Sequence, residues 1–196
     1  MKTIFLLLMM SLTVLSGCAE SATLIRAGSN SIRSDIFQEF SSGGLVPQGY
    51  AELRVVSSLK THKPGIYPFE KKNHGTPEYR MLVNIDGQAV QLQGDMQKEH
   101  IGPSGHRAPE AGDGIRYRFS KTLRLKGGTH RITVALPGDQ LAIEREVTLS
   151  DGSRNTLVLE PTYGASPDKQ RPGFYGVTSF RQGVKGLRPT LNGKEI

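Results

Sequence analysis

The sequence predicts an all-β fold, an antiparallel β-sandwich behind an N-terminal tether with room for one short helix. Two observations predict it. Between Tyr50 and Leu159, apolar and polar residues alternate in short runs, the period-two pattern of strands that bury one face. Glycine-containing turn formers separate those runs at Asp86-Gly87, Gly127-Gly128, Pro137-Gly138-Asp139 and Asp151-Gly152, and a spacing of about ten residues between turns is that of a sandwich.

Taken in order, the chain opens on a positive Met1-Lys2 and an apolar run from Ile4 to Leu15, broken only by Ser11 and Thr13. That run is too short to cross ~30 Å of hydrocarbon as a helix, which needs ~20 residues, and has the length of a secretory signal. It ends in Leu15-Ser16-Gly17-Cys18, which resembles the lipobox of bacterial lipoproteins. The resemblance implies cleavage before Cys18 and attachment of diacylglycerol to its thiol. Cys18 is the single cysteine of the chain, so no disulfide is expected. Ala19 rather than Asp follows it, and likeness to Gram-negative lipoproteins then implies the outer membrane, facing the periplasm. Residues 1–17 are therefore expected to be a signal peptide and 18–49 a lipidated tether. Ile32, Ile36, Phe37 and Phe40 line one side of a short helix there, with Asn30 or Ser31 as cap and Ser41-Ser42-Gly43-Gly44 as stop.

The first strand is Ala51, Leu53 and Val55 alternating with polar neighbours. Residues 60–78, rich in Lys, His, Pro and Gly, predict a long loop. Tyr79, Met81, Val83 and Ile85 line a second strand, and Asp86-Gly87 turns it into Gln88–Gln93. Residues 94–114 predict a second long loop. Ile115, Tyr117, Phe119, Leu123 and Leu125 share the face of a further strand, with Arg116, Arg118, Arg124 and Lys126 on the other side. Lys121 breaks that apolar series, and a bulge or bend is expected there. Ile132, Val134 and Leu136 follow Gly127-Gly128. Leu141, Ile143, Val147 and Leu149 form the next face, interrupted by Arg145, and Thr156–Leu159 closes the domain at 50–161. In the Gly/Pro-rich extension 162–196, Phe174, Tyr175, Val177 and Phe180 predict one more strand, and Asn192-Gly193 a final turn.

The stretch also resembles the PEGA domain, a small sandwich related to transthyretin-like and immunoglobulin-like folds. The matching residues are Val83-Asn84-Ile85-Asp86-Gly87 and Leu123 through Val134, with its Gly128-Thr129-His130-Arg131-Ile132 hairpin, followed by Pro137-Gly138, Glu146–Leu149 and Leu157–Leu159. The insertion at 94–114 departs from that family, which has a brief turn there. Membership would imply an extracytoplasmic module without catalysis.

Composition narrows the choice further. The chain has 196 residues, 25 basic against 18 acidic side chains and no tryptophan. Lack of tryptophan argues against an aromatic sugar platform, and the positive balance suits anionic polymers or lipid headgroups. No nucleic-acid motif is present.

Candidate chemistry is sparse. His62, His74, His100 and His106 lie in the two long loops without the close spacing of metal ligands, and are expected to be solvated; no metal or cofactor is expected. His130 is expected to satisfy a turn. Ser104-Gly105-His106 lacks a nucleophile elbow. Arg116, Arg118, Arg124, Lys126 and Arg131 are expected on the outer side of one sheet, where they would bind an anionic glycan or headgroup or balance Glu144 and Glu146.

The expectation is a non-catalytic envelope lipoprotein, bound to the membrane through Cys18, whose sandwich binds or organises another envelope component, either protein or anionic glycan. One alternative is a glycan hydrolase using His100, His106 and Asp113. Another is an assembly subunit that adds a strand from residues 162–196 to a neighbour.

Overall fold

The alternating runs form strands in the computed structural model, which describes residues 16–40, 44–65, 73–100, 108–164 and 178–196. Among the described residues, helix α1 (Ser16–Ser29) precedes strands β1 (Phe37–Glu39), β2 (Tyr50–Thr61), β3 (Arg80–Ile85), β4 (Gln88–Gln93) and β5 (Asp95–Glu99). After them come β6 (Gly114–Lys126), β7 (Gly128–Leu136), β8 (Leu141–Leu149), β9 (Arg154–Tyr163), β10 (Val184–Leu191) and β11 (Lys194–Glu195). Single 3-10 turns occupy Pro137–Asp139 and Phe180–Gln182.

The strands make two sheets. Sheet A runs β1-β6-β2-β9-β10-β11, with β5 also paired to β6, and sheet B runs β4-β3-β7-β8. Leu53, Val55, Tyr117, Phe119 and Leu123 of sheet A share one core with Met81, Val83, Ile85, Ile132 and Val134 of sheet B. Burying each such side chain contributes about 1.5–3 kcal/mol. The expected turns are in place. Asp86 and Gly87 both have positive φ, 48° and 94°, the backbone a two-residue hairpin needs. Asn192 (φ 51°) and Gly193 (φ 81°) make the β10–β11 turn in the same way.

Several elements differ from expectation for identifiable reasons. The helix is at Ser16–Ser29, while Phe37–Glu39 is a strand paired to Leu123–Leu125. Leu24 and Ile25 pack on Leu82, Ala135 and Ala142, so α1 covers the outer side of sheet B. Tertiary pairing decides both outcomes, since a helix of ten residues has little stability of its own. The sheet is not wholly antiparallel: β2 and β9 run parallel from Glu52↔Arg154 to Ser57↔Leu159. The chain reaches β9 from β8, in the other sheet, and enters beside β2 in its direction.

No bulge occurs at Lys121. Pairing of β2 with β6 is continuous from Tyr50↔Lys126 to Thr61↔Ile115. Lys121 falls between the stretches of β6 covered by β5 and by β1, so it leaves the core at the sheet edge and pairs with Glu39. Arg145 likewise stands on an edge strand and donates from Nε to the Ile196 carbonyl at 3.0 Å.

One strand lies where a loop was expected, and the strand of the C-terminal extension lies later than expected. Strand β5 is polar because it lies at an edge and is exposed nearly throughout. Strand β10 contains Gly186 and Pro189, yet pairs with β9 along its length and has only short β11 opposite. That position tolerates a residue without an N–H. Phe180 is in a 3-10 turn rather than a strand. The expected strand residues Phe174, Tyr175 and Val177, like residues 1–15 and His106, lie outside the described residues.

Candidate functional site

The densest polar constellation is at one end of the body, where β2, β5, β6 and β9 bring Lys60, Glu99, Arg116 and Tyr163 together. Lys60 is fully buried. By strand parity it faces outward from sheet A, but the segment 110–112 and Phe180 cover it. Its Nζ donates to the carbonyls of Gly112 at 2.6 Å and Glu110 at 3.1 Å, stands 3.6 Å from Glu99 and lies over the Phe180 ring at 5.1 Å. Burial lowers the Lys60 pKa from the usual lysine value, and Glu99 opposes that shift. Arg116 donates to Glu99 and to Glu110, each at 2.6 Å. Tyr163 donates to Glu110 at 2.5 Å and accepts the Lys60 backbone N–H at 2.8 Å.

Gly114 closes this packing. A Cβ at Gly114 would lie 2.7 Å from both Lys60 Cε and the Thr61 carbonyl, and 2.9 Å from Phe180. Gly114→Ala is therefore expected to destabilise by about 1–3 kcal/mol in urea unfolding, the usual cost of overpacking.

A second chain of side chains starts where β2 ends. His62 contacts the Lys63 carbonyl through Nδ1 at 3.1 Å and His74 through Nε2 at 3.1 Å. His74 reaches Asp139 at 3.2 Å. Asp139 also accepts from the Tyr79 hydroxyl at 2.6 Å and the Val184 N–H at 3.2 Å. His74 is 1% exposed. The expectation of solvated loop histidines is thus overturned for His62 and His74, because the 73–79 segment folds back against β2 through Gly75 N–H to Thr61 Oγ1 at 3.1 Å. His130 bridges Asp86 at 2.7 Å and the Lys126 carbonyl at 2.8 Å, tying two turns together.

Both networks hold tyrosines above their usual pKa. Burial raises Tyr117 to about 12, and burial with a carboxylate acceptor raises Tyr79 and Tyr163 well above the ordinary tyrosine value. An acid whose folded pKa is raised leaves stability intact below its unfolded value of about 10 and removes it above. Stability is therefore expected to fall as the pH rises above about 10, and tyrosinate absorbance from these three residues to appear together with loss of β-sheet circular dichroism.

His100 and Asp113, two of the residues named for a hydrolase, do meet. They meet in a surface contact, with side chains 79% and 45% exposed. Lys63 Nζ also reaches Asp113 at 2.9 Å, and Lys63 and His100 together lower the Asp113 pKa to about 2. Among the described residues, no group of three or more His, Cys, Asp or Glu is placed to hold a metal ion.

The basic residues do not form one face. Arg116, Arg118, Arg124 and Lys126 project from β6 in sheet A, whereas Arg131 is on β7 in sheet B and pairs with Glu144 at 3.6 Å. Arg124 is bound to Glu52 at 3.1 Å and covers the Phe40 ring. Arg118 donates to Gln97 at 2.8 Å. Charge balance thus occupies Arg116, Arg124 and Arg131.

A groove of about 390 Å³ opens on the outer side of sheet B, beside the end of α1. Ser29, Asn73, Glu78, Arg80 and Gln91 line it with Met81 beneath. Arg80 donates to Gln91 at 3.2 Å. Such side chains can hold a polar ligand by hydrogen bonds. Lys60, Asp139 and Tyr79 carry the two networks, yet nothing in their local sequence distinguishes them from ordinary strand and turn residues.

Among the described residues, no helix is long and apolar enough to cross a membrane. Compared with known proteins, no family profile, curated protein or solved structure matches the chain.

Proposed function

We propose that this protein is a non-catalytic lipoprotein of the cell envelope. Lipid on Cys18 anchors it at the outer membrane, facing the periplasm, and the two-sheet body is a sandwich of the PEGA and immunoglobulin-like kind. The body binds or organises another envelope component, an envelope protein or an anionic glycan. One observation carries the reading: among the described residues, the buried ionisable groups at one end of the body are engaged with one another. Lys60, Glu99, Glu110, Arg116 and Tyr163 hold one end of the body closed, and His62, His74 and Asp139 brace it. Groups so occupied brace that end of the body, which favours a binding surface over a reacting centre.

The test is crosslinking in the native cells. A photoreactive residue placed at Gln91 in the groove, or at Arg54 on the outer side of sheet A, should capture one envelope component from one of the two faces. Lipid should appear by mass spectrometry on a peptide that begins at Cys18. Absence of adducts from both positions would count against a binding role.

A further inference from the structure

The geometry points to a body that rests on the membrane by its α1 side and turns the outer side of sheet A away; the inference depends on lipidation of Cys18, as proposed above. Cys18 lies in the first turn of α1. Six residues later, Leu24 and Ile25 are packed on sheet B.

The chain beyond them is stitched down residue by residue. Asn84 Nδ2 donates to the Gly28 carbonyl at 3.4 Å, and the N–H groups of Ile32 and Arg33 donate to the Gly87 carbonyl at 2.9 and 3.2 Å. Ser31 Oγ accepts the Ala89 N–H at 2.8 Å. Gln88 Oε1 accepts from Ile36 and Phe37 at 2.8 and 3.1 Å, and β1 then joins β6.

Lengths decide the consequence. A free tether from Cys18 to residue 49 would extend about 100 Å, at about 3.3 Å per residue. The six-residue step to Leu24 spans about 9 Å as helix and about 20 Å even if fully extended. The outer side of sheet A is farther away than that. α1 is about 10 Å across and the two sheets lie about 10 Å apart, so with side chains the path around the body exceeds the available chain. The acyl chains therefore enter a leaflet with the least strain on the chain when α1 and sheet B lie nearest to it. Arg54, Arg118 and Arg188 then face the aqueous compartment, and the partner approaches from that side or along the groove beside Ser29.

The experiment uses the full lipidated protein in phosphatidylethanolamine–phosphatidylglycerol vesicles that carry a headgroup quencher. A fluorophore is attached to one introduced cysteine at a time; lipidated Cys18 leaves no competing thiol. Ile32→Cys and Arg131→Cys sample the sheet B side, where those side chains are 83% and 69% exposed. Arg54→Cys and Arg188→Cys sample sheet A. Quenching is expected at the first pair and lost at the second. A double variant, Leu24→Asp with Ile25→Asp, should release α1 and remove the difference while β-sheet circular dichroism persists. Equal quenching at all four sites on a protein whose Cys18 is lipidated overturns the orientation alone. An unmodified Cys18 overturns the lipoprotein reading and the orientation with it.

Discussion

Asp139→Ala is expected to lower stability by about 3–5 kcal/mol, the loss usual when one member of a buried charged network is removed. The carboxylate is fully buried and is the shared partner of Tyr79, His74 and the Val184 N–H. Alanine would leave a buried hydroxyl, a backbone N–H and the His74 ring without this partner, at about 1–3 kcal/mol for each unsatisfied group. Partial relaxation toward water keeps the sum below simple addition. Tyr79→Phe removes one donor only and should cost about 1 kcal/mol. Urea unfolding of the two variants separates the cases. If Asp139→Ala cost no more than Tyr79→Phe, the network would not be bracing the 73–79 segment and β10 against the core.

The second large effect is expected at Lys60. Lys60→Met keeps the buried stem and removes the ammonium, leaving two carbonyl oxygens and Glu99 without their shared donor. The expected loss is about 2–4 kcal/mol, at the lower side of the buried-pair range because Glu99 is 20% exposed and keeps Arg116. A double variant with Glu99→Gln tests the origin. If stranded negative charge dominates, the double variant should be more stable than Lys60→Met, because replacing both partners avoids an uncompensated charge. A double variant that simply adds a second loss would assign the cost to the carbonyls of Glu110 and Gly112.

Much of the architecture is legible in residue order. Strand β6 reads plainly, since Ile115, Tyr117, Phe119, Leu123 and Leu125 are all buried, and a strand between two sheets must present one apolar side. Turns are equally plain at Asp86-Gly87 and Asn192-Gly193, where positive φ restricts the residue type. Edges are not legible. Lys121 and Arg145 look like interruptions of the pattern, yet each stands on the core-facing side of an unbroken strand and escapes at an edge, and which strands are edges is unknown until the sheets assemble. Strand β5 has no apolar alternation because β6 supplies its pairing and little of it is buried.

The polar networks are less legible still. His62 and His74 are twelve residues apart, and Asp139 is sixty-five residues beyond His74; no spacing announces the meeting. Lys60 occupies an outward position on β2, which ordinarily means solvent, and only the covering residues 110–112 and Phe180 make it interior. Arg131 joined its basic neighbours by proximity in sequence and left them because β6 and β7 belong to different sheets.

By itself, then, the sequence determined a mostly β body with its principal strands and turns. These follow from local rules, since period-two burial and the backbone needs of a tight turn act within a few residues. Only the tertiary structure decided the parallel pairing of β2 with β9, the docking of α1 on sheet B, and the burial of Lys60, His74 and Asp139. Those outcomes depend on contacts between distant segments, and a charged side chain is stable in an interior only when its partners arrive from elsewhere in the chain.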